Sequence, residues 1–359
     1  MMAEDGGQEF LTLAEVARAA RARLPRGPWD YLAGAAETET TLKRNRHAID
    51  TLALRPRVCR DVSNVSTQVE LYGRTLELPV MLAPVGSVET FVAGGGATAA
   101  KAAATAGAAQ MLSCVCNPGL EAVAAAADNL KIYQLYVRGD DSDIDAEVER
   151  AVAHGYAAFC ITVDTAHYSR RERDLVNRFV KPWRQRAVGH NFQASFSWDN
   201  VKRFKDTHDI PFILKGIMTV DDAEIACEHG VDGVYISNHG GRQLDHGLGA
   251  MDVFPDVAKA VGGRTQLFVD GSFMRGTDIV KAMAFGASAV GIGRLACLGL
   301  AADGEQGLVR TLELLQEEIR IAMGLSGVNT FAELSPEFVA QAPSMTPPSM
   351  LSALPLIDA

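Results

Sequence analysis

Residues 237–245 read SNHGGRQLD, and their types suit acid–base chemistry on an anion. His239 can take a proton near neutral pH. Arg242, three positions on, can hold a carboxylate with its planar fork. Gly240 and Gly241 let backbone approach a ligand closely. A base beside an anion clamp suits oxidation of a carbon next to a carboxylate. The apolar run Gly233-Val234-Tyr235-Ile236 comes just before and reads as a buried parallel strand. Ser237 to Asp245 would then sit at that strand's carboxyl end.

Short apolar runs of this kind recur at 79–84, 110–113, 132–136, 157–163, 211–215, 233–237, 266–270 and 288–292. Helix-like stretches separate them, at 96–107, 119–128, 143–154, 197–208, 219–229, 252–261 and 276–286, and a long amphipathic run at 304–323 follows the last. Eight alternating units match an α/β fold of the (β/α)8, or TIM, barrel type. A doubly wound open sheet is the alternative that periodicity leaves open. In a barrel, catalytic groups gather at the carboxyl ends of the strands. Polar residues fall there: Ser113, Gln134 and Tyr136, Thr162 and Asp164, Lys215, Ser237 and His239, Asp270, then Gly293 and Arg294. One polar strand end reads as a cap, but polar ends on seven of eight strands are hard to explain as core.

One domain is expected, in three parts. Residues 1–78 form a helical extension and lead-in that closes the bottom or flank, 79–327 form the barrel, and 328–359 form a C-terminal arm, extended at 343–350. The connection 165–196 is long enough to be functional. It carries Arg170, Arg171, Arg173, Arg178, Arg184 and Arg186, most of which read as solvated.

The chain has 359 residues, a net charge of −10 and 48% hydrophobic residues, enough for a sizeable core. The acidic balance argues against nucleic acid as a partner. No apolar run reaches membrane-spanning length, and the N-terminus lacks a signal peptide's basic and apolar regions. Six scattered cysteines read as reduced, mostly core residues of a cytoplasmic protein. Cys114-Val115-Cys116 has too few partners for zinc, so no metal site is expected.

Further motifs join SNHGGRQLD: WDYLAGAAE (29–37), LAPVG (82–86), YQLYV (133–137), TVDT and SRRERDLVNRF (162–179), LKGI (214–217), DGSFMRGTD (270–278) and GIGR (291–294). This ordered series, from about Leu11 to Gly327, resembles the FMN-dependent L-2-hydroxy acid oxidases and dehydrogenases, the family of glycolate oxidase, lactate oxidase and mandelate dehydrogenase. The resemblance implies bound FMN, oxidation of a 2-hydroxy acid to a 2-oxo acid, oxygen or another electron acceptor, and a homo-oligomer, a tetramer in the family. His239 resembles the base and Asp164 the carboxylate that orients it. Arg171, Arg242 and Tyr31 resemble the carboxylate site, and Tyr136 a contact to the substrate hydroxyl. Lys215 resembles the cation beside the flavin ring. Ser113, Gln134 and Thr162 resemble its hydrogen-bond partners, Pro84, Val85 and Gly86 its backbone support, and Ser237 a further contact. Asp270 resembles a ribityl partner, and Gly271, Gly293 and Arg294 the phosphate site.

The chain departs from the family at four places. Met274 stands where a phosphate-binding arginine is usual, Ser272 and Ser169 replace common glycines, and Val115 stands where glycolate oxidase carries a large aromatic. The last change implies room for a bulky substrate side chain. Two other readings remain open on sequence: an aldolase or synthase using Lys215 as a Schiff base, and a barrel kept as a non-catalytic binding module.

Overall fold

All eight sequence-predicted strands form. They run Val80–Leu82, Ala109–Ser113, Lys131–Leu135, Ala158–Thr162, Phe212–Ile217, Gly233–Ile236, Gln266–Val269 and Ala289–Ile292 in the computed structural model, which describes residues 10–183 and 190–358. Residues 1–9, Arg184 and Arg186 lie outside the described residues. Consecutive strands pair in parallel, and the eighth pairs with the first, Gly291 opposite Met81. The sheet therefore closes into a barrel with no free edge, and the open-sheet alternative is excluded.

Side chains alternate in and out along each strand. The inward set forms one buried cluster that includes Met81, Ala109, Met111, Ile132, Ala158, Cys160, Ile213, Tyr235, Phe268 and Ala289. Two residues further along six of the strands, the same face carries Ser113, Gln134, Thr162, Lys215, Ser237 and Asp270. The barrel thus changes from apolar to polar at its carboxyl mouth, as strand period alone requires.

A feature not foreseen from sequence closes the other end. Val69–Leu71 and Arg74–Leu76 form an antiparallel hairpin. Its two turn residues, Tyr72 and Gly73, have φ of 46° and 75°. Positive φ at both positions is the turn that matches strand twist. Leu71 and Leu76 join the inward barrel cluster and seal the bottom. The first N-terminal helix lies on the flank, one of the two expected places, while the next two go to the opposite mouth. Leu13–Arg23 packs on the last helix, Arg294–Ser326. Arg26–Ala33 and Thr40–Asp50 reach the carboxyl mouth, where Arg46 is buried and bonds Asp278 Oδ2 at 2.7 Å and the Ser272 carbonyl at 3.0 Å.

The expected run 304–323 covers only the second half of the last helix, which breaks at Asp303 and Gly304. Its first half, from Arg294, is buried on almost every side, so it shows no amphipathic period. The C-terminal arm forms a short strand, Val339–Gln341, against Leu52–Leu54, and then lies over the surface with Leu354 fully buried. Within the long connection, Glu172–Val176 and His190–Ser195 form short helices.

None of the described cysteines is in a disulfide. Cys160 and Cys297 are buried, Cys59 is exposed and the other three are half-buried, so fewer are core than expected. No helix of the described residues is long and apolar enough to cross a membrane. No metal-binding cluster occurs among the described residues.

Candidate active site

A cavity of about 470 Å³ opens at the carboxyl mouth, within the usual range for small-molecule pockets. Of the expected site residues, Tyr31, Pro84, Val85, Gly86, Tyr136, Arg171, Lys215, His239, Arg242, Asp270, Gly271, Gly293 and Arg294 line it. Gln134, Thr162, Asp164 and Ser237 do not line it themselves, but belong to the polar layer at the strand ends. Ser113 borders a smaller neighbouring pocket, and its Oγ accepts from the Val115 amide at 3.4 Å.

The turn after the sixth strand aims the base. His239, Gly240 and Gly241 have φ of 61°, 64° and 79°. A Cβ at Gly240 would lie 2.6 Å from Arg294 Nη1, and one at Gly241 would lie 2.5 Å from the Leu42 amide nitrogen. Both positions therefore need glycine. His239 itself adopts this conformation at a cost of about 1–3 kcal/mol, and contacts on both ring nitrogens hold it. Nδ1 lies 3.1 Å from Asp164 Oδ1, and Nε2 lies 3.2 Å from the Tyr136 hydroxyl. An ionised carboxylate only accepts, so it favours the proton on Nδ1 and leaves Nε2 basic.

Electrostatics suit that arrangement. Burial lowers the proton affinity of His239, and Asp164 opposes the effect without cancelling it. Burial raises that of Asp164, but His239, with Lys215 and Arg171 behind it, outweighs the effect and holds the carboxyl below its usual range. Burial, reinforced by Asp164, pushes Tyr136 well above the ordinary phenol value, so it remains a donor.

The second cluster surrounds Lys215. Its Nζ donates to Ser237 Oγ at 2.7 Å, and Ser237 Oγ donates to Asp270 Oδ1 at 2.7 Å. The ammonium also lies 3.3 Å from Asp270 Oδ2. Burial disfavours the charge, yet Asp270 and Asp164 outweigh it and raise the proton affinity of Lys215. A lysine held as an ammonium is a poor Schiff-base nucleophile, which weighs against the aldolase reading.

Two arginines share the opposite wall. Arg242 Nη1 donates to the carbonyls of Tyr31 at 2.6 Å and Gly34 at 2.7 Å. Arg171 donates to Gln243 Oε1 at 3.2 Å and to the Arg242 carbonyl at 3.3 Å. Burial, then the Arg171 charge, lowers the proton affinity of Arg242. Among the described residues no carboxylate pairs with either guanidinium. Buried cations of this kind call for an anion. Tyr31 completes the corner, its hydroxyl donating to the Gly86 carbonyl at 2.7 Å.

Arg294 lines the cavity beside Gly293. Its three guanidinium nitrogens donate to the carbonyls of Leu32, Gly240 and Gly34 at 3.1, 2.9 and 2.8 Å. It fastens the N-terminal segment over the mouth, and burial, then Arg242, pushes its proton affinity down to about 9. Met274 is buried in the cavity wall, and Arg275 turns away to Glu318 at 2.7 Å.

Sequence reasoning missed three groups. Ser272 lines the cavity with a φ of 64° and a buried hydroxyl that has no partner; its only signal was standing at a common glycine position. Gln243 donates to the carbonyls of Asp164 at 2.9 Å and His167 at 3.0 Å while accepting from Arg171. It thereby braces base and clamp together, and its place inside SNHGGRQLD was the available signal. Lys181, in the long connection, is buried against Tyr31 and Tyr168.

The residues present fit FMN. Both amide atoms of Gln134 and the hydroxyls of Thr162 and Ser272 are buried without a partner. Each such group costs about 1–3 kcal/mol when left unpaired. A flat ring with amide-like donors and acceptors satisfies Gln134 and Thr162, beside the Lys215 cation. Gly271, with a φ of 112°, and Gly293 line the cavity with Ser272, where their backbone can approach a phosphate closely.

Comparisons with known proteins agree. Glycolate oxidase 3 of Arabidopsis thaliana is 34% identical over 91% of this chain and 95% of its own. An L-lactate oxidase of a Nostoc species is 35% identical over 92% of this chain and 98% of its own. Among solved structures, mandelate oxidase with 3,3-difluoro-2-hydroxy-3-phenylpropionic acid is 37% identical, superposes with a TM-score of 0.87, and covers 94% of this chain and 100% of that one. A mandelate oxidase variant with a C4a-OH-FMN adduct is 36% identical with a TM-score of 0.85, over 92% of this chain and 100% of that one. The model for FMN-dependent dehydrogenases matches residues 20–341. With that match spanning most of the chain and the site built as described, the protein belongs to the FMN-dependent dehydrogenase family.

Proposed function

We propose that His239, Asp164, Tyr136, Tyr31, Arg171 and Arg242 carry out the oxidation of an L-2-hydroxy acid with a large apolar or aromatic side chain. The reaction class itself, FMN-dependent oxidation of a 2-hydroxy acid to a 2-oxo acid, is that of the family. The observation that carries the residue assignment is the His239–Asp164 pair, 3.1 Å apart, facing a cavity shared with two guanidinium groups that have no carboxylate partner among the described residues.

Bound FMN supplies the two-electron acceptor. Gln134, Thr162, Lys215, Ser113, Ser237 and the backbone of Pro84 to Gly86 would hold its ring, Asp270 its ribityl chain, and Gly271, Ser272 and Gly293 its phosphate. Arg171, Arg242 and Tyr31 bind the substrate carboxylate and fix its orientation. Tyr136 donates to the substrate hydroxyl. His239 Nε2 takes the proton that the substrate loses, and Asp164 stabilises the imidazolium. The relatives named above are oxidases, which supports oxygen as the terminal acceptor, reduced to hydrogen peroxide.

The base must be neutral to act. Flavin reduction therefore rises with pH through the titration of His239, below the ordinary imidazole value of about 6.5. Asp164→Asn removes the group that raises its proton affinity. The acid limb should move to lower pH, and the rate should fall by roughly 10²-fold. Stopped-flow reduction across pH checks both; an unmoved limb contradicts the pairing.

Substrate size follows from the apolar end of the cavity, walled by Phe91, Val115 and Trp183. A large aromatic in place of Val115 would narrow that end of the cavity. The expected order of kcat/KM places mandelate and 2-hydroxyoctanoate above lactate and glycolate. Val115→Trp should lower the large acids by roughly tenfold or more and spare glycolate. Glycolate as the best substrate of the parent protein contradicts the assignment.

A cytoplasmic homo-oligomer is the assembly proposed. Free cysteines support a reducing compartment. Leu244 and Leu248, large and exposed on the loop that carries His239, support burial against another copy. Light scattering of the purified holoenzyme tests the oligomer.

A further inference from the structure

Lys181 is among the most buried charged side chains outside the strand ends. Its ammonium lies 3.0 Å from Asp174 Oδ2, donates to the Tyr168 hydroxyl at 2.6 Å, and sits 4.4 Å from the centroid of the Tyr31 ring. Tyr168 and Asp174 belong to the same long connection. Tyr31 belongs to the N-terminal segment and completes the carboxylate corner. One lysine thus joins two separate parts of the chain at the point where the substrate anion binds. No step of the mechanism uses it.

The groups that face it can be named. Tyr168, Arg171 and Asp174 come from the connection, Tyr31 from the helix Arg26–Ala33, and Arg242 from the turn after the sixth strand. Burial lowers its proton affinity first, the charges of Arg171 and Arg242 lower it further, and Asp174 opposes them; the result is about 6. The same two guanidinium groups are those that a bound carboxylate neutralises. Coupling between two binding events is reciprocal. An anion that offsets those charges therefore favours the proton on Lys181, and the proton favours the anion.

We propose that Lys181 is a positioning residue of the carboxylate corner, a third cation that takes up a proton when a 2-hydroxy acid anion binds between Arg171 and Arg242. The inference rests on the assignment of those arginines to the substrate carboxylate. Its sign is fixed. Lys181 is charged below about 6 in the free protein. Carboxylate affinity should therefore be highest in acid and fall as pH rises, by roughly five- to tenfold between pH 5.5 and 8. The proton acts on binding, so it should appear in KM more than in kcat.

The test uses the FMN-loaded protein and phenylacetate, a carboxylate with no 2-hydroxyl to oxidise. Binding is followed by the flavin spectrum, and proton uptake by calorimetry in two buffers of different ionisation enthalpy. The parent protein should take up a fraction of a proton at pH 7 that Lys181→Met loses, apart from any share of His239. Lys181→Arg, charged throughout, should bind phenylacetate with little pH dependence. A thermal midpoint and flavin content for each variant show that it is folded. If Lys181→Met keeps the parent's proton uptake and pH profile, the proposal is overturned. If phenylacetate fails to bind the parent and Arg171→Met leaves the KM of every hydroxy acid unchanged, the carboxylate assignment beneath it has failed instead.

Discussion

His239→Ala should leave FMN bound and slow its reduction by a 2-hydroxy acid by roughly 10²-fold or more. The imidazole is not among the groups that would hold the ring. Its Nδ1 is engaged by Asp164 and its Nε2 faces the cavity beside Tyr136. Removing it leaves the clamp and Lys215 cluster intact, so the visible spectrum should change little while single-turnover reduction collapses. A near-parental reduction rate would remove His239 from its role. Gly241→Ala offers a poor substitute for this experiment. A Cβ there meets the backbone of Leu42 and would shift the whole turn.

Arg171→Met should weaken the substrate by about 2–5 kcal/mol, because a buried charge-assisted contact loses one partner. The loss should appear in KM and in the binding of unreactive carboxylates. Arg242→Met should have a comparable or larger effect, since Arg242 also fastens the carbonyls of Tyr31 and Gly34. Arg171 is the cleaner test, for its own bonds are to Gln243 and one carbonyl. The ester of the best substrate should react poorly with the parent protein. If ester and acid react equally well, neither arginine binds a carboxylate.

Much of this site was legible because strand geometry is simple. A period of two, with catalytic groups gathered at one mouth, assigns Gln134, Thr162, Lys215, Ser237 and Asp270 to one ring. The two glycines after His239 spoke only for close approach of the backbone, and the left-handed turn that starts at His239 itself was not read from sequence. Other parts depend on contacts between distant segments. The hairpin at 69–76 is short and half-polar, and only its placement under the barrel makes Leu71 and Leu76 core. The N-terminal segment goes to the mouth because the Tyr31 hydroxyl donates to the Gly86 carbonyl and the carbonyls of Tyr31, Leu32 and Gly34 accept from Arg242 and Arg294, which no local pattern reveals. Arg294 shows the same limit. Its type suggested a phosphate ligand, but nothing local showed that it also bonds three carbonyls of distant segments. Lys181 was not singled out in the basic loop, and only its burial against Tyr31 and Tyr168 sets it apart.

The most direct test of the account is anaerobic. The purified protein should be yellow, and one L-2-hydroxy acid with a bulky side chain should bleach the flavin band with formation of one equivalent of the 2-oxo acid. Admission of air should restore the colour and yield hydrogen peroxide. A flavin that stays oxidised with glycolate, lactate, 2-hydroxyoctanoate and mandelate, in protein shown to be folded, would contradict it.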